Sequence, residues 1–323
     1  KRKGFITSLA TPIVKAFKGK KVKTFYNLTE YEDWKEENNG WKIKYYKGLG
    51  TSTAKEAREY FVGLEDKLIT YFCEAAVTGY KSSSESITLA FEKKRANDRK
   101  KWLMNYDRND ILTYQEKEVL FQNFIHSELK HFSNDDTARS IPALLDGLKP
   151  SQRKILYGAF LRRLDKDEVK VAQLAGFVSD KAAYHHGEAS LMGAIIGMAQ
   201  DFVGSNNINI LKPNGQFGNR FLGSKGAASP RYIWTKLCEL TSLIFRKSDE
   251  PILKQQDDDG MPIEPETYAP IIPMILINGA EGIGTGFSTK IPKYNPIDVI
   301  ENIKRLLDGN KIKTMRPWWN NFN

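Results

Sequence analysis

The sequence predicts an α/β and α+β fold, with an α/β layer in the first half and a more regular second half, over 323 residues. Three observations carry this. Trp41-Lys-Ile-Lys-Tyr-Tyr46 alternates as a strand does, runs through Lys47-Gly-Leu-Gly50, and enters Thr51-Ser-Thr-Ala-Lys-Glu-Ala-Arg-Glu-Tyr-Phe61, a capped helix. Strand, glycine turn and helix in that order make an α/β layer. Further on, Asp146-Gly-Leu-Lys-Pro150 puts a proline in the first turn of a helix whose Ile155, Leu156, Ala159, Phe160 and Leu164 form one apolar stripe. The length is enough for two domains, each with its own core.

The elements follow in order. Residues 5–17 read as a strand-like start, followed by the basic turn Lys18-Gly-Lys-Lys-Val-Lys23. Asn27–Glu37 reads as a helix, with a candidate N-cap and an acidic first turn. The charge-dense run Glu92–Lys101 reads as a solvated helix face. Residues 106–138 are polar with a helical patch at Leu120–Leu129, and Ser133-Asn-Asp-Asp-Thr-Ala138 reads as a loop or linker at a domain boundary. Leu191–Ala199 is apolar nearly all round and predicts a buried helix, with Gly193 and Gly197 spaced to admit another backbone. After Ser229-Pro230, the residues Ile233, Leu237, Leu240 and Ile244 recur at helical spacing. Ile271–Asn278 reads as a buried strand entering Gly279-Ala-Glu-Gly-Ile-Gly-Thr-Gly286. There are no internal repeats.

Hydrophobic residues at 41% and charged residues at 27% are ordinary for a globular chain, but a net charge of +10 is not. It favours a polyanionic partner, with nucleic acid as the default. An anionic membrane is the weaker candidate: the longest apolar run, Ile271–Ile277, carries Pro273 and falls far short of the ~20 residues a span needs. Cys73 and Cys238 make no disulfide framework or metal spacing and read as reduced core residues of an intracellular protein. No signal peptide is visible. The first residue is not methionine and the last residues read as mid-element, so the chain reads as part of a longer protein.

Several groups of residues could carry chemistry. Lys149, Arg153 and Lys154 cluster at a helix N-terminus, where free N–H groups and the helix dipole attract phosphate, as in a helix-turn-helix or winged-helix contact. An ordinary basic helix start is the equal alternative. His185 and His186 are adjacent, which does not suit two ligands of one metal on a helix. They read as structural histidines or as donors to a phosphate. Gly279–Gly286 lacks both the P-loop ending and G-x-G-x-x-G spacing, and reads as a turn packed close to other backbone or to DNA. Asp257-Asp-Asp259 reads as a solvated turn rather than a metal site.

The most informative run is Lys212–Tyr232, a glycine-rich basic loop that ends in Arg231-Tyr232. A tyrosine hydroxyl, with an ordinary pKa of about 10, is a poor nucleophile at neutral pH. Attack on a phosphodiester needs a cation on the non-bridging oxygens, a base for the phenol, and an acid or metal for the leaving oxygen. Arg231 can supply the first.

Taken together, these segments resemble the DNA-cleavage core of eukaryotic-type type IIA DNA topoisomerases. The resemblance rests on Lys44-Tyr-Tyr-Lys-Gly-Leu-Gly-Thr-Ser-Thr53, Arg139-Ser-Ile-Pro142, Asp146–Lys154, Val171-Ala-Gln-Leu-Ala-Gly176 and Tyr184-His-His-Gly-Glu188. It continues through Asn206-Asn207, Pro213-Asn-Gly-Gln-Phe-Gly218, Ala228-Ser-Pro-Arg-Tyr232 and Pro270–Gly286, and so covers nearly the whole chain. Bacterial relatives split these motifs between two separate polypeptides; one chain carrying both resembles the fused cellular or large-virus form.

The resemblance implies residues 1–132 as the C-terminal part of a TOPRIM domain and linker, 133–290 as a winged-helix domain, and 291–323 as the start of a tower domain. It implies that Tyr232 attacks DNA to form a 5′-phosphotyrosyl link, with Arg231 and His186 as its catalytic partners. Arg139, Lys149, Gln152, Arg153, Lys154, His185, Gln216, Lys225 and Lys47 are implied as DNA contacts, and Ile283 as a wedge between base pairs. Mg2+ is implied with ligands upstream of Lys1, ATP with a further domain, and a homodimer on double-stranded DNA. The location implied is nuclear, or a viral replication site. Gly226 departs from the family, where an aspartate is common. The rival readings are a catalytically silent architectural winged-helix module and, more distantly, a tyrosine recombinase.

Overall fold

Val14 lies opposite Phe25 on one neighbouring strand and Tyr45 on the other; Val14 and Phe25 begin the core of the first half, while Tyr45 is exposed. The computed structural model describes residues 4–46, 50–73, 82–112, 117–258 and 261–322. They fall into two units, one of residues 1–136 with 285–287, the other of 137–284 with 288–323.

In the first unit, β1 (Ile6–Leu9) is followed by β2 (Val14–Lys18) and β3 (Lys21–Phe25), then α1 (Leu28–Glu37) and β4 (Lys42–Tyr45). The basic turn predicted after residue 17 is the tip of the β2–β3 hairpin, and β3-β2-β4 form an antiparallel sheet. Val14, Ala16 and Phe25 of this sheet and Tyr31 of α1 form one buried hydrophobic cluster, with Trp34 and Trp41 packed alongside. Asn27 caps α1 by accepting from the Glu30 N–H at 2.7 Å, as its sequence predicts.

Next come α2 (Ala54–Phe61), the single turn α3 (Leu64–Lys67), and β5 (Leu68–Phe72), which pairs antiparallel with β1. Thr53 and Glu56 close a capping box on α2. Glu56 also takes the Lys44 ammonium at 2.8 Å and the Tyr46 hydroxyl. These bonds hold the Glu56 carboxyl far below its usual range, while burial and the carboxylate push the Tyr46 phenol up.

The charged run predicted as a solvated helix face, Glu92–Lys101, starts after α4 (Ser83–Phe91) and runs into α5 (Ala96–Met104), followed by β6 (Glu118–Leu120), α6 (Phe121–His126) and α7 (Glu128–Ser140). Leu89, Trp102, Leu103 and Ile125 are buried beneath them. Ser133–Ala138, expected to be a loop, lies inside α7, where Ser133 is buried and donates back to the Leu129 carbonyl. Cys73 is exposed rather than core, and Cys238 is half-buried.

The second unit is built on α8 (Pro150–Leu161), α9 (Val171–Lys181) and α10 (Glu188–Ala199). Ile155, Leu156 and Ala159 of α8, Leu174, Ala175 and Val178 of α9, and Leu191, Ile195 and Ala199 of α10 form its core. β7 (Val169–Lys170), β8 (Leu211–Asn214) and β11 (Trp234–Leu237) make an antiparallel sheet in the order β7-β11-β8, and β9 (Phe217–Asn219) with β10 (Gly223–Ala227) forms a separate hairpin.

Three expectations change here. Ile233–Ile244 is not one helix: β11 comes first, then α11 (Glu239–Ile244). Pairing with β8 and β7 on its two sides overrides the helical spacing, and Ile233 and Leu237 are both buried. After β12 (Gln255–Asp258) and β13 (Met261–Pro265), the expected buried strand at 271–278 is instead the single helical turn α12 (Met274–Ile277). α10 is buried on one side only: Gly193 is exposed, and no atom lies within contact of a side chain built at Gly193 or Gly197. The chain ends through the hairpin β14 (Ala280–Ile283) and β15 (Ser288–Ile291) and the amphipathic α13 (Pro296–Leu307). Among the described residues no helix is long and apolar enough to cross a membrane.

Candidate nucleic-acid interface

Tyr232 is 66% exposed, yet its backbone is tightly held. The first-turn amides of α9 lack helical partners, and two of them donate outward: Val171 N–H to the Ile233 carbonyl and Ala172 N–H to the Pro230 carbonyl, both at 3.1 Å. The Tyr232 N–H closes the same turn onto the Ser229 carbonyl at 2.9 Å. Ile233 is buried beside it, so the phenol faces outward on a turn fastened to a core helix. The Arg231 guanidinium sits 5.0 Å from the centre of the Tyr232 ring.

The loop before it is the β9–β10 hairpin. Gln200, at the end of α10, donates to the Phe217 carbonyl at 2.8 Å and to the Ser224 hydroxyl at 3.0 Å, tying both strands to the helix. Gln216 and Lys225 are exposed on it, with the Gln216 side chain accepting from the Gly218 N–H. Phe221, 96% exposed at the tip, carried no signal of its own in the sequence.

His185 and His186 follow the far end of α9. An 11-residue helix is about 16 Å long, so the backbones at Tyr232 and at the histidines are set at opposite ends of one rod. Ala183 takes a left-handed φ of 46° at the turn. The His186 ring meets the Tyr184 ring edge-on at 5.4 Å, and His185 Nε2 lies 3.2 Å from Asp258. Burial pushes the Tyr184 phenol up, and the charge of Arg139 opposes that rise. Arg139 is exposed in the last turn of α7, which puts it in the same neighbourhood as Tyr184. Asp257 and Asp258 belong to β12, while Asp259 lies outside the described residues.

Ile283 is 78% exposed at the end of β14, directly opposite Ser288. Its hairpin rests against the end of α7: a side chain at Gly282 would come within 2.2 Å of the Ser140 carbonyl oxygen, and one at Gly284 within 2.8 Å of Thr137 Cα. The glycine-rich run is therefore a close backbone approach, as its spacing suggested, and it brings Ile283 near the turn that carries Arg139.

The basic cluster at the start of α8 divides. Gln152 accepts from the Lys149 N–H at 2.9 Å, half of a capping box, and both residues line a cavity of about 190 Å³ together with Asn206, Asn278 and Glu281. Arg153 and Lys154 are corrected from DNA contacts to internal ties. Arg153 is 5% exposed and grips the fully buried Asp146 at 2.7 and 3.0 Å. Asp146 in turn accepts from the Leu148 and Tyr268 N–H groups. Lys154 donates to Glu264 at 2.8 Å and to the Ala182 carbonyl at 2.6 Å. Neither can turn to a phosphate without leaving a buried carboxylate unpaired. Lys47 lies outside the described residues. Among the described residues no three His, Cys, Asp or Glu side chains gather as metal ligands.

Comparison with known proteins agrees with this layout. A family model described as the C-terminal associated domain of TOPRIM matches residues 9–137, and one described as the A-type subunit of DNA gyrase/topoisomerase IV matches residues 139–323. DNA topoisomerase 2 of Arabidopsis thaliana is 52% identical over 98% of the chain, and that of Acanthamoeba polyphaga mimivirus 46% over 99%. The chain spans only 22% and 29% of those two proteins. The crystal structure of the Plasmodium falciparum topoisomerase II DNA-binding, cleavage and re-ligation domain superimposes on the whole chain with a TM-score of 0.81 at 49% identity, the chain covering 44% of it. The chain belongs to the DNA gyrase/topoisomerase IV family of A-type subunits, in the eukaryotic-type branch typified by DNA topoisomerase 2.

Proposed function

We propose that this chain is the DNA-cleaving core of a type II DNA topoisomerase, which cuts both strands of one duplex, passes another through, and reseals the break. The whole enzyme thereby relaxes supercoils and unlinks DNA circles. The observation that carries the reading is Tyr232, exposed beside Arg231 on a turn fastened to the first amides of α9. A nucleophile needs that combination of access and fixed geometry.

In the step proposed, Tyr232 Oη attacks a backbone phosphorus. The Oη–P bond forms as the bond from phosphorus to the 3′-oxygen breaks. The phenol loses its proton and the 3′-oxygen gains one. Arg231 stabilises charge on the non-bridging oxygens. The phosphodiester energy stays in the protein–DNA bond, so reversal reseals the strand without a ligase. His186, with His185 and Arg139, acts on the DNA flanking the break. Lys149, Gln152, Gln216 and Lys225 hold the backbone, and Ile283 wedges into the bent duplex.

Residues 1–132 act as the TOPRIM-associated part, 133–290 as the winged-helix part and 291–323 as the start of the tower. Two copies act together on double-stranded DNA, because a double-strand break needs two tyrosines. Mg2+ and ATP enter as requirements of the whole enzyme, which works in the nucleus or, for a large virus, at its replication site. The silent architectural module is not favoured, since the relatives from Arabidopsis thaliana and Acanthamoeba polyphaga mimivirus both carry the name DNA topoisomerase 2. The deciding experiment incubates the full-length protein with supercoiled DNA and Mg2+, denatures it, and measures covalent adducts. As many 5′-linked adducts from Tyr232→Phe as from the parent would overturn the reading.

A further inference from the structure

We propose that Asn207 is a positioning residue that locks the hairpin bearing Ile283 to the strand leading from Tyr232, so that the bend and the nucleophile keep one fixed offset. Asn207 is 9% exposed, and every polar atom of its side chain is used. Its amide nitrogen lies 2.9 Å from the Ile277 carbonyl and 3.1 Å from those of Tyr294 and Trp318, and its oxygen accepts from the Asn320 N–H at 2.9 Å. Ile277 lies just ahead of β14 and Tyr294 just after β15, so one side chain clamps both ends of the hairpin.

The neighbouring pair repeats the tie. Asn278 accepts from the Ile208 N–H at 2.9 Å and donates to the Ile208 carbonyl at 2.7 Å, a side chain paired with backbone as one strand is with another. From there the connection runs through backbone. The Ile210 carbonyl accepts from the Cys238 N–H at 3.0 Å and from the Thr241 hydroxyl at 2.7 Å. β8 then pairs with β11 in unbroken register from Leu211 opposite Leu237 to Asn214 opposite Trp234, two residues beyond Tyr232.

The path is short and built from hydrogen bonds with little slack. Displacing reacting groups by about 1 Å can cost about a hundredfold in rate. A wedge that bends DNA helps in-line attack only if the bend falls at a set distance from the phenol. The proposal rests on Tyr232 as nucleophile and Ile283 as wedge.

The test uses the full-length protein carrying Asn207→Ala and, separately, Asn278→Asp, which keeps the acceptor for Ile208 N–H but loses the donor and sets a charged carboxylate against the Ile208 carbonyl. Three quantities are measured: duplex affinity, DNA bending by end-to-end fluorescence transfer, and Mg2+-dependent covalent adducts. Adducts are compared on a continuous duplex and on one with a flexible, unpaired step at the bend. The expected result is affinity within about twofold, a loss of about tenfold or more in adducts on continuous duplex, and recovery to within about threefold on the flexible one. A simple folding defect would lower both substrates alike, and that outcome, or undiminished cleavage of continuous duplex, overturns the proposal. Where Asn207→Ala melts below the assay temperature, Asn278→Asp decides by the same criteria. Ile283→Ala and Tyr232→Phe, run in parallel, report separately on the wedge and nucleophile assignments.

Discussion

The Ala172 N–H, in the first turn of α9, donates to the Pro230 carbonyl at 3.1 Å. That bond attaches an exposed, glycine-rich loop to a helix whose Leu174, Ala175 and Val178 are completely buried. The turn bearing Arg231 and Tyr232 thus inherits the rigidity of the core while its side chains stay accessible.

Arg231→Ala is expected to lower covalent-adduct formation by about a hundredfold or more, the usual loss when a charge-stabilising donor is removed from a transition state. Duplex affinity should change by much less, because one phosphate contact among many is lost. Single-turnover cleavage alongside equilibrium binding separates the two.

Arg153→Ala should destabilise the second unit by about 3–5 kcal/mol, because it strands the buried Asp146 carboxylate. Urea unfolding measures this. Lys225→Ala, on an exposed strand, should leave stability within about 0.5 kcal/mol and flatten the salt dependence of DNA binding by about one ion.

Gly282→Ala drives a methyl group onto the Ser140 carbonyl and should displace the hairpin, reducing DNA bending together with cleavage. Ile283→Ala, at a largely exposed position, should leave the melting temperature unchanged and reduce bending alone among the structural readouts. Bending by fluorescence transfer, read beside a thermal melt, distinguishes the two.

The Glu56 carboxyl is depressed first by Lys44 and then by Tyr46 and the Thr53 amide. A carboxyl lowered in the folded state stabilises fully above its unfolded value near 4.5, and that stabilisation is lost as pH falls from there toward the folded value. Stability of the parent should therefore decline on acidification through this range. Glu56→Gln should start about 1–3 kcal/mol lower at neutral pH and lose less over the same range, as denaturant titrations at several pH values would record.

Much of the layout was legible because it depends on local rules. Asn27 and Thr53 cap their helices where a short polar side chain precedes an acidic first turn. The glycines of 279–286 signalled a close backbone approach, though not that Ser140 and Thr137 would be the groups approached. The errors lie where distant partners decide. Ile233–Ile244 has helical spacing, but β8 and β7 supply ladder partners to its first part. Arg153 and Lys154 look like phosphate contacts at a helix start, but their carboxylate partners lie 7 and 110 residues away.

The sequence by itself determined the family, the order of the motifs, the basic character, and the loop that ends in Arg231-Tyr232, since each is a property of residues near one another along the chain. Tertiary structure alone decided which cations are tied to buried carboxylates, how Tyr232 is fastened to α9, and that Asn207 joins two hairpin ends to a distant strand. Burial and hydrogen-bond partnership arise between segments far apart in sequence, and no local pattern encodes them.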